Sequence, residues 1–422
     1  RTEVKSRRYF STVNGRLERA GDVDGFAVKL EQGQTLVAAM DANRSIGSPM
    51  DAILEVLSPD GFVLAQDDDE GGFDPRIVFT AAESGSFVVR AFAFPSSPNS
   101  TIGFAGGEDY VYRLTLTTGG FADFAYPLAV SRSSPIAVDV IGWNVPEAAR
   151  RLSATLADGA ETALLWHPSL PHTCTLRIAP DAALSESGPT DRERPQKIPF
   201  PCTVSGRIDP PGDADFFEIQ ASKGQQILLS TESRRLGLPL DPVLVFKDAA
   251  GKKIAEADDS GDSRDVEISI AVPEDGVYHI EVRDLHGEGG PRFAYLLAAS
   301  VPEPGYELRL TADSFVLAPG KPLEVPITVD RRYGFKGEVE VSVEGLPKGV
   351  EAAPVKSPPE GDASKAVKLE LKGLPAAVPW SGAIRVVGVA GDPSRMKRTA
   401  SAPLPGAGQS TRQIWLTILK QQ

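Results

Sequence analysis

Two stretches decide the fold of this chain: residues 13–37, VNGRLERAGDVDGFAVKLEQGQTLV, and residues 204–228, VSGRIDPPGDADFFEIQASKGQQIL. They align without a gap. Gly15, Arg16, Gly21, Asp22, Asp24, Phe26, Gly33 and Gln34 meet Gly206, Arg207, Gly212, Asp213, Asp215, Phe217, Gly224 and Gln225. The match extends outward with one small slip. IGSPMDAILEVLSPDGFVLAQDDD is echoed by LGLPLDPVLVFKDAAGKKIAEADD, so that Pro49, Asp51, Gly61 and the pair Asp68–Asp69 meet Pro239, Asp241, Gly251 and Asp258–Asp259. ESGSFVVRAF is echoed by EDGVYHIEVR, and the copies close on YVYRLTL and FAYLLAA. Self-similarity of this kind marks a duplicated structural unit. The first copy carries an insertion, FPSSPNSTIGFAGGED, where the second has HGEGGPRF.

The local pattern within each copy is strand. In FAVKL, LVAAM, AILEV, SFVVRAF and YRLTL, large apolar residues recur at every second position, as a half-buried strand requires. SPDG and DAAG punctuate them as turns. Short strands at such spacing indicate β-sandwiches. The fold class expected is therefore all-β, as tandem sandwiches.

Composition agrees. The chain has 422 residues, 41% hydrophobic and 24% charged, enough to bury several cores, with 35 prolines and 40 glycines to supply turns. The net charge of −13 comes without basic stripes. That argues against nucleic acid and anionic membrane as partners, since both are held by clustered Lys and Arg. No apolar run is long enough to span a membrane. The chain opens at Arg1 without Met or a signal-like stretch, and reads as a piece of a longer precursor whose upstream domain would be a partner.

The combination G-D-x-D-x-F, G-Q-x-L, D-x-x-L followed by a turn Gly, D-D, a G-x-Y-type strand and a closing Y-x-L strand resembles the bacterial pre-peptidase C-terminal domain, over most of residues 9–118 and 195–300. RDLHGEGG and the module after it also look like large exported proteins of planctomycete-type bacteria. The resemblance implies two jelly-roll-like sandwiches, secreted or periplasmic, cell-surface associated, and appended to peptidases or other exported proteins. It also implies calcium. Calcium-binding members use an acidic E-x-E-x-N-D linker together with the aspartates of G-D-x-D. In ESGPTD, Glu186 and Asp191 match the outer acids, while Gly188 stands for the second Glu and Thr190 for Asn. The implied ligands are then Glu186, Asp191, Asp213 and Asp215, and in the first copy Asp22 and Asp24, before which only Glu3 is acidic. The alternative is that G-D-x-D is a turn whose Asp side chains bond backbone N–H groups. Two acid-rich loops, Asp67, Asp68, Asp69, Glu70 and Asp74, and Asp258, Asp259, Asp262 and Asp265, are further candidates.

The domains expected are residues 1–118 and 191–301 for the two copies, 119–190 for a small immunoglobulin-like sandwich with Trp143 or Trp166 as its core aromatic, and 304–422 for a second immunoglobulin-like sandwich. Cys174 and Cys202 lie at strand-like edges around one linker and are expected to form a disulfide in an oxidising compartment.

Catalytic chemistry is not signalled. His167 and His172 flank prolines in one loop, where a metal pair is conceivable, His279 alternates on a strand, and His286 sits in a Gly-rich turn. No H-E-x-x-H, G-x-S-x-G or phosphate loop occurs. Phe92, Phe94, Phe104 and Tyr110 cluster around the insertion, and Phe94, Phe104 and Tyr110 are the candidate ligand surface. The function expected is a non-catalytic binding or spacer region of an exported protein, directed to extracellular polysaccharide or protein. The alternatives are a structural rod and an accessory region of a peptidase or hydrolase.

Overall fold

The computed structural model describes residues 2–3, 10–68, 72–96, 103–132, 137–154, 156, 160–188, 190–260, 263–374, 378–391, 396–403 and 410–420. It is built of strands, as the alternation requires, in multiple sheets. Arg1–Ala42 with Met50–Pro302 form one compact unit, and Asn43–Pro49 with Glu303–Gln422 the other.

The first sandwich comprises β1 (Thr2–Glu3), β2 (Phe10–Arg16), β3 (Asp24–Leu30), β4 (Thr35–Asp41), β5 (Met50–Leu57), β6 (Val63–Asp67), β7 (Arg76–Thr80), β8 (Gly85–Pro95) and β9 (Val111–Thr117). One sheet runs β1-β3-β8-β5-β6 and the other β2-β9-β4-β7. Between them lies a core of alternate inward residues, among them Phe26, Leu36, Leu54, Phe87, Val89 and Leu114.

A small module follows, with β10 (Phe121–Tyr126), β11 (Ala129–Ser131), β12 (Ala137–Trp143), β13 (Arg151–Ser153), β14 (Thr162–Leu165) and β15 (Cys174–Ala179), in sheets β10-β12-β13 and β11-β15-β14. Its core is made of small and aliphatic side chains such as Val130, Val138, Leu165 and Leu176, with Cys174 among them. Neither expected tryptophan fills it. Trp166 is 63% exposed, and the Trp143 ring lies 6.1 Å from that of Phe121, tilted by 50°.

The second repeated sandwich has β16 (Ala182–Ser185), β17 (Gln196–Lys197), β18 (Cys202–Arg207), β19 (Ala214–Ala221), β20 (Gln226–Glu232), β21 (Pro242–Asp248), β22 (Lys253–Ala257), β23 (Glu267–Ala271), β24 (Gly276–Asp284) and β25 (Ala294–Ser300). Its sheets run β17-β19-β24-β21-β22 and β16-β18-β25-β20-β23. Strand for strand this is the order of the first sandwich, with β16 added at one edge. Residues 182–185, expected in the small module, thus pair in parallel with β18 instead. The core gathers Phe217, Phe246, Ile219, Ile280, Leu297 and Cys202.

Cys174 and Cys202 correct the disulfide expectation. Both are buried free thiols, each inside the core of a different module. Burial raises both to about 12, which keeps them as neutral thiols packed like small apolar side chains.

The other unit contains β26 (Gly305–Leu310), β27 (Ser314–Leu317), β28 (Leu323–Arg332), β29 (Val339–Glu344), β30 (Val350–Ala352), β31 (Val355–Ser357), β32 (Ala366–Gly373), β33 (Trp380–Ala390), β34 (Met396–Thr399), β35 (Ala402–Pro403), β36 (Ser410–Thr411) and β37 (Ile414–Ile418). Sheet β26-β28-β32-β30 faces sheet β27-β37-β33-β29-β31 across a core that includes Leu308, Ile327, Val341, Leu369 and Leu416. Arg331 clamps its loops by donating to the carbonyls of Gly337, Ser357, Pro358 and Ser364.

Candidate functional site

The G-D-x-D turn does two jobs. Its first aspartate caps its own turn: Asp22 accepts from the N–H groups of Glu18 and Val23, and Asp213 accepts from that of Ala214. Its second aspartate, first residue of β3 or second of β19, points across the sandwich. The Tyr295 hydroxyl donates to Asp215 Oδ2 at 2.6 Å, and in the first copy Tyr112 donates to Asp24. Each tyrosine ring lies over the glycine paired with it on the neighbouring strand of its own sheet. A Cβ on Gly206 would stand 2.4 Å from the Tyr295 ring, and one on Gly15 would stand 2.2 Å from that of Tyr112. The repeated Gly, Asp and Tyr are therefore one packing device.

In the second copy a further carboxyl joins it. Glu186, just after β16, accepts the Arg207 N–H at 3.2 Å and is hydrogen-bonded to Asp215. Burial and the neighbouring Glu186 charge raise Asp215 to about 8, and burial raises Glu186 as well. Two acids in contact cannot both ionise cheaply, so each pushes the other toward its protonated form. Tyr126 of β10 closes over this pair. Its hydroxyl donates to the Ser205 carbonyl at 3.0 Å, while burial and the Glu186 charge push it up to about 12.

The other implied ligands are spent elsewhere. Asp191 forms an exposed fork with Arg194, at 2.6 Å from Nη2, and Thr190 Oγ1 accepts the Phe216 N–H. Among the described residues, no group of three acids, histidines or cysteines is spaced to hold a metal. The Glu186 and Asp215 carboxyls are hydrogen-bonded to one another. The acid-rich loops also divide. Asp69, Glu70 and Asp262 lie outside the described residues. Asp74 is buried and accepts the Ala42 N–H. Its counterpart Asp265 is buried and accepts those of Ser233, Arg234 and Arg235. These last acids of each loop are strand-end clamps.

The histidines do not assemble. His167 Nδ1 contacts Ser169 Oγ, and His172 Nε2 contacts the Ala122 carbonyl while its ring packs on Phe121. Burial pushes His172 below the usual histidine range. His279 is half-buried, 3.8 Å from Glu218, and His286 is exposed, 3.9 Å from Asp241. Phe92, Phe94 and Phe104 do cluster, with ring centres 4.6 and 5.5 Å from Phe104. Tyr110 packs against the core instead, and residues 97–102 of the insertion lie outside the described residues.

One site was invisible in the sequence. Asp123 of β10 is 4% exposed and takes Arg76 from the first sandwich and Arg292 from the second. Phe121 and Trp143 offer ring faces to the same cations, at 5.3 and 5.6 Å for Arg76 and 6.0 Å for Arg292 over Trp143. Around it the small module is tied to both neighbours. Asn144 donates to the Thr35 carbonyl, and Arg177 pairs with Glu232 at 2.8 Å. Ser205 Oγ accepts the Leu128 and Ala129 N–H groups. Phe124, Leu128 and Ala129 share a buried cluster with Leu238, Ala294 and Leu296. Three modules meet at one buried carboxylate.

Comparison with known proteins bears on the second repeated sandwich. The family profile for the bacterial pre-peptidase C-terminal domain matches residues 213–284. A probable subtilase-type serine protease of Deinococcus radiodurans is 26% identical over 238 residues, 55% of this chain, and the chain spans only 26% of that relative's length. Among solved structures, the pre-peptidase C-terminal domain of a Bacillus anthracis collagenase is similar at 14% identity, covering 27% of this chain and 100% of that one, with a TM-score of 0.22. The Aeromonas hydrophila inhibitor of g-type lysozyme is similar at 14% identity, covering 27% and 92%, with a TM-score of 0.21. Through residues 213–284, the chain contains one bacterial pre-peptidase C-terminal domain.

Proposed function

We propose that residues 10–300 are a non-catalytic accessory block of an exported protein, in which two pre-peptidase C-terminal-type sandwiches are held in fixed register by the small module between them. The observation that carries this reading is the Asp123 node. It spends three largely buried charges on joining modules. A flexible tether would have no use for that.

The first sandwich is read as a second member of the family. Support comes from its strand order and from the Gly15–Tyr112–Asp24 device, which repeats Gly206–Tyr295–Asp215. The last module is read as immunoglobulin-like from its two facing sheets, antiparallel apart from the β27–β37 pair. The similarity to a subtilase-type protease over 55% of the chain supports placing the block beside a hydrolase outside the cytoplasm. There it would position the enzyme, or hold its polysaccharide or protein substrate. His167 Nδ1 meets Ser169 Oγ at 2.7 Å, two residues on in the same loop, and His172 is held on the Ala122 carbonyl, so the non-catalytic reading takes the His167–Ser169 contact as a local loop contact.

The test is an assay of the purified chain against casein and against soluble polysaccharides. Background turnover is expected throughout. Hydrolysis that co-purifies with the chain and is lost on His167→Ala or His172→Ala overturns the reading.

A further inference from the structure

The two repeated sandwiches supply a control for each other at their exposed sheet edge. β6 and β22 occupy the same terminal position of the same sheet and pair on one side only. Their registers correspond. Leu57 faces Val63 as Lys247 faces Lys253, each beside a bulge. The sequence alignment places Phe62 and Val63 where the second copy has Lys252 and Lys253.

An open edge presents unpaired N–H and C=O groups to any passing strand, and lysines on it are a common protection. The second copy has that protection, with Lys253 held to Glu256. Ile254, at the bulge, tucks against the core. The first copy has the opposite. Phe62 is 71% exposed, and Val63 and Leu64 are each 48% exposed. Three successive large apolar side chains thus stand exposed where this terminal strand begins, Phe62 at the end of the turn and Val63 and Leu64 on β6, in a molecule whose other copy carries lysines at the first two of these positions.

The geometry points to the outer edge of β6 as a docking site for an extended strand of another protein, apolar in its middle and basic at both ends. The basic ends follow from charge. Exposed Asp60 and Asp68 bracket the apolar run, on a chain of net charge −13. A second copy of this chain fits poorly. Its own β6 is flanked by the same two acids, Asp60 in the turn before the strand and Asp68 just after it, and like charges brought together destabilise a pair. A strand carrying Lys or Arg at those positions gains both contacts, while main-chain hydrogen bonds supply the sequence-independent part of the affinity. This names a protein partner for the accessory block and rests on that reading only in its claim that the block binds.

The probe is the fluorescein-labelled peptide Lys-Thr-Val-Thr-Val-Thr-Val-Thr-Lys, titrated with the full chain and followed by anisotropy. Saturable binding is expected, weaker by about tenfold or more for the Glu-ended peptide and at raised salt. Phe62→Lys/Val63→Lys should lose binding without lowering the thermal midpoint, since both side chains are exposed. Lys252→Phe/Lys253→Val should add a second equivalent. Equal binding by Phe62→Lys/Val63→Lys, or no binding by the unaltered chain, overturns the proposal. So does a concentration-dependent dimer in sedimentation that Phe62→Lys/Val63→Lys abolishes, which would make the occupant a second copy. Hydrolase activity bears on the accessory reading alone and leaves this test unaffected.

Discussion

Tyr295 and Asp215 are 80 residues apart in sequence and joined by a 2.6 Å hydrogen bond inside the second repeated sandwich. Gly206 makes the bond possible by leaving room for the ring. Gly206→Ala should therefore act as an overpacking substitution, costing about 1–3 kcal/mol. Tyr295→Phe should cost about 1–2 kcal/mol by stranding a buried acceptor. Denaturant titration measures both. If the two changes affect one device, the double variant will lose less than the sum of the singles.

The Glu186–Asp215 pair predicts a pH dependence of a particular sign. Asp215 titrates at about 8 in the fold, against about 3.9 in an unfolded chain. The folded state therefore holds more protons across that window, and stability contributed by the pair is fully present below it and lost as pH rises through it. The thermal midpoint should fall between pH 5 and pH 8.5, and Asp215→Asn, which mimics the protonated acid, should flatten part of that fall. Millimolar calcium should leave the midpoint at pH 8 unchanged relative to EDTA. A clear rise with calcium would mean that an ion replaces the proton.

Asp123 predicts the largest single loss. Removing one partner of a buried ion cluster leaves uncompensated charge and costs about 3–5 kcal/mol. Asp123→Ala leaves both Arg76 and Arg292 facing aromatic rings without an anion. Calorimetry should show one cooperative transition for residues 10–300 splitting into two or more.

The thiols predict silence. Cys174 and Cys202 are buried and held protonated, so the native chain should give no reaction with a thiol reagent and two equivalents in denaturant. Reductant should leave the thermal midpoint where it was. No reactive equivalent in denaturant without reductant, and two with it, would restore the disulfide.

The sandwiches were legible because period-two alternation and turn residues are local signals, and because the chain states its pattern twice. The role of the second aspartate was not. Asp24 and Asp215 read as oxygen ligands, while their partners Tyr112 and Tyr295 lie 88 and 80 residues on, beyond the reach of any spacing rule. A signal was nonetheless present. YVYRL and FAYLL put a tyrosine at the same repeat position, and a Gly–Asp–Tyr triplet kept in both copies invites a shared structural role. Asp265 offered no such clue, since what it binds is three main-chain N–H groups. Asp123 lay outside the repeat altogether, and its partners are 47 and 169 residues away.

The node also gives the array a direction. Arg76 opens β7 opposite Ala39. At the matching place in the second copy, Glu267 opens β23 opposite Ser230. Exchanging the two copies would bring a glutamate, not an arginine, to the Asp123 carboxylate. After duplication, then, the two sandwiches became a left and a right part. They cannot trade places, and a third copy inserted between them would find no seat.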